Sequence, residues 1–239
     1  MRVLVVGNSH VGSIKQAWDS LSAEFPETSF FFVAARGNLL RHLRFDGRHL
    51  SSADAELQRS VLFNFGCEHA DLGELAPDLV LFYGVDLRLP LDFLRAIRSE
   101  RFSREFLRRS LGELFTMWGW LVVRNLAPKL AADVKVSMPF LSVAGLQRTS
   151  HEEEQYRDVV EIVADFNRDY LSQFNCSYML QPLETFDPMS GRTYQEYTQG
   201  SQRLAIGDNL DNKLHDATDV RHMNEAFGAL IIRALLHTN

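Results

Sequence analysis

The 239-residue chain has only two cysteines, Cys67 and Cys176, whose separation matches no metal or redox spacing. One disulfide between them is chemically allowed, but two scattered thiols fit a reducing compartment better. Long apolar runs are also missing. The longest, about Leu114 to Val123, is interrupted by Thr116 and Gly119 and is too short to span a bilayer. Arg2 is followed by only four apolar residues, far fewer than a secretory apolar region needs, so the cytoplasm is the expected location. Positive charge is in deficit, with a net charge of −6 and a pI near 5.8, which argues against general affinity for nucleic acid or an anionic membrane. Internal repeats, low-complexity tracts and Gly/Ser linkers are absent, so one domain over residues 1–239 is expected. Gly7-Asn8-Ser9-His10-Val11-Gly12 lacks both the glycine-rich dinucleotide pattern and the lysine of a phosphate loop.

What is present is an ordinary globular composition, 46% hydrophobic and 23% charged, with short apolar runs alternating with helical patterns. Arg2–Val6, continuously apolar and mostly β-branched from Val3 on, ends at Gly7, as expected of a strand buried on both faces. Further strands are expected over Ser29–Ala34, Asp78–Tyr83, Asp133–Met138 and Ser177–Leu180. Helices are expected over Val11–Phe25, Leu91–Ile97, Ser103–Asn125, Glu152–Phe174 and Asn224–Leu236. Strands alternating with helices indicate βαβ units and a mainly parallel sheet with helices on both faces. Ligands of such folds sit outside the carboxyl ends of the strands, which directs attention to Gly7–His10, Ala35–Asn38, Gly84–Asp86 and Asp216–His222.

Ser9 lies between the first strand and the first helix, so its hydroxyl is expected at the carboxyl edge of the sheet, beside backbone N–H groups able to hold an oxyanion. Serine needs a base and the base an orienting acceptor; Asp219-Val220-Arg221-His222 supplies both. Each residue also admits a plain structural alternative, Ser9 as a helix N-cap and Asp219 with His222 as a capped helix start carrying an exposed ring. Asp216 is the alternative carboxylate, and His215 is close to the proposed base in sequence.

Taken together, Gly7-Asn8-Ser9-His10 and Asp219-Val220-Arg221-His222-Met223-Asn224 resemble the first and last motif blocks of the SGNH/GDSL hydrolase superfamily, flavodoxin-like serine esterases and acyltransferases. The resemblance implies a flavodoxin-like three-layer α/β/α sandwich with a five-stranded mainly parallel sheet, and a helical insertion at about 88–128. It also implies Ser9 as nucleophile, His222 as base, Asp219 as its partner and Gly37 as an oxyanion-hole glycine beside the Ser9 N–H, with no cofactor and no metal. The superfamily's third block carries an asparagine whose amide donates to the oxyanion; here Gly84-Val85-Asp86-Leu87 places Asp86 there. A carboxylate opposes the developing charge, and losing one donor costs ~2.7–4 kcal/mol in the barrier. A protonated Asp86 could donate, Asp86 could turn away while Asn8 or Asn38 takes the amide role, or the protein could be a weak or altered catalyst; the second arrangement is expected. Asn8, His10 and Asp86 are then candidate substrate contacts.

The expected substrate is a small-molecule or carbohydrate O-acyl ester, with acyl transfer to a sugar or a non-catalytic binding or assembly role as alternatives. Cys67-Glu68-His69 contains metal-ligating types without a complete set. Arg88, Arg95, Arg98, Arg101, Arg104, Arg108 and Arg109 form a basic stretch, read as a solvated helix face ahead of an apolar segment with Phe115, Trp118 and Trp120. The apolar side of this helix is read as a core or oligomer face, and the helical segment 103–125 is the candidate homo-oligomer surface. Tyr194 and Tyr197, in the polar stretch before the Asp/His block, are candidates for stacking on a sugar.

Overall fold

Val3-Leu4-Val5-Val6 is apolar at every position, so a strand made from it must be covered on both faces. The computed structural model describes residues 1–65, 69–89, 91–98, 102–148, 150 and 153–237, and puts this run in a central strand with all four side chains buried. The strands are β1 (Arg2–Gly7), β2 (Ser29–Ala34), β3 (Arg44–Phe45), β4 (His49–Ser51), β5 (Ala70–Asp71), β6 (Leu79–Tyr83), β7 (Asp133–Ser137), β8 (Ser177–Tyr178), β9 (Phe186–Asp187) and β10 (Arg192–Thr193). The α-helices are α1 (Val11–Leu21), α2 (Ala55–Phe65), α3 (Leu72–Leu75), α4 (Leu91–Arg98), α5 (Arg104–Leu114), α6 (Trp118–Leu126), α7 (Glu153–Phe166) and α8 (Glu225–His237).

The main sheet runs β2-β1-β6-β7-β8 with every pairing parallel. This is the flavodoxin-like order, whose direction of strand addition reverses between β1 and β6. The small strands form two antiparallel groups, β3-β4-β5 and β9-β10. Alternation along each strand divides the apolar side chains between two layers. Leu4, Val6, Val33, Val80, Phe82, Val134 and Val136 meet Leu57 and Val61 of α2, Leu94 of α4, Leu111 of α5, Trp120 and Val123 of α6, and Ile162 and Phe166 of α7. Val3, Val5, Phe30, Phe32, Leu79, Leu81 and Tyr83 meet Val11, Ile14 and Ala17 of α1 and Phe227, Ile231 and Ile232 of α8. The architecture is the expected three-layer α/β/α sandwich. Among the described residues, no helix is long and apolar enough to cross a membrane.

Four elements depart from expectation; the first helix, expected to reach Phe25, ends at Leu21 and continues as a 3-10 turn over Ser22–Glu24. The helix expected over Ser103–Asn125 is two helices. The Ser103 hydroxyl accepts from Phe106 N to start α5, the Thr116 hydroxyl donates to the Glu113 carbonyl, and Met117 is extended, so α6 starts afresh. The candidate oligomer face also loses Trp120, which is fully buried with its ring edge-on to those of Phe115 and Phe166. The helix expected through Phe174 ends as α7 at Phe166 and continues in a π turn and a 3-10 turn; its expected first residue, Glu152, lies outside the described residues. The fifth strand is only Ser177–Tyr178 rather than Ser177–Leu180.

Candidate active site

At the carboxyl end of β1 a Cβ on Gly7 would overlap the Tyr83 carbonyl and the Val11 side chain, so only glycine lets strand and helix pack this closely. The following turn is closed by Val11 N donating to Asn8 O (3.0 Å) and Gly12 N to Ser9 O (3.1 Å). Ser9 therefore stands half-buried at the β1/β6 switch point, ahead of α1.

His222 reaches it from the far end of the chain. Ser9 Oγ and His222 Nε2 are 2.9 Å apart, and His222 Nδ1 is 3.0 Å from Asp219 Oδ2. The other oxygen of Asp219 accepts from the backbone N–H groups of Arg221 (2.7 Å) and His222 (2.9 Å), so carboxylate and ring are held by one turn. Asn224 anchors that turn. Its oxygen accepts from Phe227 N and caps α8, while its amide nitrogen donates to the carbonyls of Glu196 (2.8 Å) and Gln199 (3.0 Å). α8 then docks on α1 where Gly228 faces the Ser13 carbonyl with no room for a Cβ. The helix that begins after Ser9 and the helix that begins after His222 are thus packed together.

Burial pushes the Asp219 carboxyl up, but the N–H donors of His222 and Arg221 and the His222 ring outweigh it and bring it down to about 2, so Asp219 is ionised at neutral pH. Asp216, the alternative partner, is instead exposed and accepts from the backbone and hydroxyl of Thr218. His10 is buried, its ring 5.3 Å from that of His222; burial first, then His222, drives it down to about 3, and it is neutral. Its backbone N–H donates to Asn8 Oδ1 (3.2 Å), which lies directly over Gly84.

Gly84, Val85 and Asp86 are all left-handed, with φ of 77°, 52° and 57°. Val85 is fully buried, and its carbonyl sits against Gly119 of α6 where a Cβ would clash. Asp86 is ion-paired with Arg88 Nε at 3.4 Å along its own loop. The β2 exit is tied to the β1 exit by Ala35 N donating to Gly7 O (3.1 Å), so Arg36, Gly37 and Asn38 leave the sheet beside Asn8 and Ser9. Gly37 has φ +65° and open space where a Cβ would be, and the Asn38 side chain makes no cap to the turn that follows it. Sequence reading missed Arg36, which clamps this exit through ion pairs with Asp208 and Asp211 and a bond to the Leu204 carbonyl (2.8 Å). An arginine after a strand with two aspartates three apart downstream is too common a pattern to have marked it.

Other candidates fall elsewhere. Arg95 donates to the carbonyls of Pro188 (2.5 Å) and Met189 (3.2 Å), and Arg109 pairs with Glu105 (3.3 Å), so part of the basic stretch is used locally. Arg101 and the side chains of Arg98, Arg104 and Arg108 lie outside the described residues, as do Cys67 and Glu68. His69 packs edge-on against His49. Tyr194 is fully buried and Tyr197 packs edge-on against Phe227, so Tyr194 offers no exposed face for a sugar. A cavity of about 770 Å³ opens beside Arg2, Asp78 and Asp133, at the amino ends of the strands and thus the opposite edge from Ser9. His215, Asp219 and His222 bring potential metal-ligand atoms within 4.8 Å of one another. The two imidazoles are stacked with 5° between their planes, so their in-plane lone pairs run side by side rather than converging on a cation.

These parts define an α/β protein with a hydrogen-bonded serine, histidine and aspartate at the switch point of a flavodoxin-like sheet. No protein-family model matches the chain, and no curated protein matches it. Among solved structures it is similar to the periplasmic domain of a lipopolysaccharide acetyltransferase of Salmonella ser. Paratyphi A, at 10% identity and a TM-score of 0.41, covering 99% of this chain and 82% of that one. It is also similar to a GDSL-like lipase from Bacteroides thetaiotaomicron, at 11% identity and a TM-score of 0.38, covering 100% and 89%. A gut microbial diltiazem-metabolizing enzyme matches at 11% identity and a TM-score of 0.39, with 99% of this chain aligned to 46% of that one.

Proposed function

We propose that the chain is a serine-dependent ester hydrolase of SGNH type acting on a small O-acyl ester through an acyl-enzyme. The observation that carries this reading is the unbroken line Ser9 Oγ, His222 Nε2, His222 Nδ1, Asp219 Oδ2 at 2.9 and 3.0 Å. With the Nδ1 proton directed to an ionised Asp219, Nε2 presents its lone pair to the Ser9 hydroxyl and takes its proton as Oγ bonds to the ester carbonyl carbon. The imidazolium faces the carboxylate and gives the proton to the departing alkoxide as the acyl-enzyme forms. A water molecule, deprotonated in turn by His222, attacks the acyl carbon and restores Ser9.

The Ser9 and Gly37 N–H groups, with the Asn38 amide, are assigned to the developing oxyanion. Asp86 is assigned a place at the rim, its charge offset by Arg88. The chemistry needs no metal or organic cofactor. Transfer to a sugar hydroxyl in place of water is a second reading, favoured by a polar groove of about 370 Å³ lined by Gln147, Arg148, Gln195, Glu196 and Gln199, on the turn that Asn224 holds.

Purified protein should be labelled by a fluorophosphonate probe and should hydrolyse short aryl esters. Ser9→Ala should abolish the labelling and lower kcat by at least about a thousandfold. Adding sugar acceptors and following acylated sugar separates transfer from hydrolysis. An unlabelled, correctly folded wild type would instead indicate a binding protein that keeps the fold.

A further inference from the structure

We infer that His215 is a positioning residue whose ring, stacked on His222, fixes the plane in which His222 meets Ser9 and Asp219 together. The inference rests on the triad reading above. The two rings have centroids 3.9 Å apart and planes within 5° of parallel, whereas His10, on the same ring, is 5.3 Å away and tilted by 28°. His222 makes one hydrogen bond from each nitrogen, which leaves rotation of the ring out of the shared plane as the motion that breaks both bonds. A flat group at stacking distance opposes that rotation.

Hydrogen bonds tie the His215 ring only loosely. Its side chain is only 9% exposed, its Nε2 has no hydrogen-bond partner among the described residues, and its Nδ1 is 3.7 Å from Asp219 Oδ2, beyond hydrogen-bond reach, which leaves the Gln202 backbone as the polar group the ring meets. Burying an unsatisfied Nε2 costs stability and offsets the single backbone contact with Gln202, so the flat surface laid on His222 is what favours the ring's place. Its backbone is mounted rigidly. His215 N donates to Ser201 O (2.9 Å) and Arg203 N to Lys213 O (2.8 Å), and the paired segment lies on Gly12 of α1, where a Cβ would come within 3.3 Å of the Gln202 carbonyl oxygen. The segment that carries the supporting ring therefore packs on the same helix that follows Ser9.

The stack must also be uncharged on the His215 side, because a cation there would oppose the imidazolium formed on His222 in catalysis. Burial first, then His222 and Arg203, hold His215 down to about 4, against the opposing pull of Asp219 and the Gln202 carbonyl.

Two variants separate shape from chemistry. His215→Phe keeps a flat ring without nitrogens, and His215→Leu fills similar space without a plane. The readouts are the rate of fluorophosphonate labelling of Ser9 and the downfield proton resonance of the His222 Nδ1–H facing Asp219. The Phe variant should label within about threefold of wild type and retain the resonance. The Leu variant should label about ten- to a hundredfold more slowly, as expected when a reacting group is slightly misplaced, with the resonance broadened or lost. Equal behaviour of the two variants, whether both fast or both slow, would overturn the inference, as would a wild type without the resonance. A wild type that shows the resonance but is not labelled would sink the catalytic reading, and the resonance in the Phe and Leu variants would still decide the role of His215.

Discussion

Asp219 accepts three hydrogen bonds, two from backbone N–H groups and one from the ring it orients, and this makes its replacement informative. In Asp219→Asn the amide oxygen can keep the backbone donors, which turns the NH₂ towards His222 Nδ1. The ring must then carry its proton on Nε2, where it cannot accept from Ser9. kcat should fall by about 10⁴, with little change in KM, as measured with an aryl ester. The carboxyl is held at about 2, below its ordinary 3.8, so Asp219 contributes stability that is fully present above pH 3.8 and lost as pH falls through about 2. Urea titrations should show Asp219→Asn less stable than wild type at pH 7, with the gap closing below pH 4. At this scale the hydrogen-bonded trio of Ser9, Asp219 and His222 was legible because a hydroxyl, an imidazole and a carboxylate are distinctive types at distinctive places. The pairing of Asp86 with Arg88 and the stack of His215 on His222 were not, since a ring's plane and a carboxylate's direction depend on neighbours distant in sequence.

At the scale of elements, the site depends on how α1 and α8 meet. Gly228 packs directly on the Ser13 carbonyl, so a methyl group there must push the two helices apart. Gly228→Ala should destabilise the fold by about 3 kcal/mol or more, read from the urea midpoint, because the obstacle is backbone rather than a movable side chain. The displaced helices follow Ser9 and His222 respectively, so labelling of Ser9 should also slow in whatever fraction stays folded. Strand periodicity located β1, β2, β6 and β7 almost to the residue, because a buried parallel strand is a local apolar run. The break between α5 and α6 escaped the same reading. Its apolar residues continue through Phe115 to Val123 at near-helical spacing, and only the Thr116 hydroxyl on the Glu113 carbonyl and the seating of Gly119 on Val85 mark the stop. Trp120, read as part of a core or oligomer face, points into the core.

For the whole molecule, the three imidazoles at the site have a consequence for acid stability. His10 is held at about 3 and His215 at about 4, both below the ordinary 6.5, first by burial and then by the neighbouring His222. The unfolded chain takes up protons on these rings below about pH 6.5 that the folded chain refuses, so stability falls as pH drops from there towards 4. Each ring contributes a slope of up to about 1.4 kcal/mol per pH unit. The urea midpoint should decline across this range, ahead of the titration of most carboxylates, and His10→Gln should flatten the decline. A midpoint constant from pH 7 to pH 4 would contradict the burial of these rings.

The amino-acid order by itself determined the layering, since a strand apolar at every position must lie between two covering layers. It also determined the chemical types available at the strand exits, because an acid, a base and a nucleophile are properties of single residues. Only the tertiary structure decided which of these groups act on one another. Ser9 and His222 are 213 positions apart, and their 2.9 Å contact exists because two glycines, Gly7 and Gly228, let strand, first helix and last helix approach more closely than any side chain would allow.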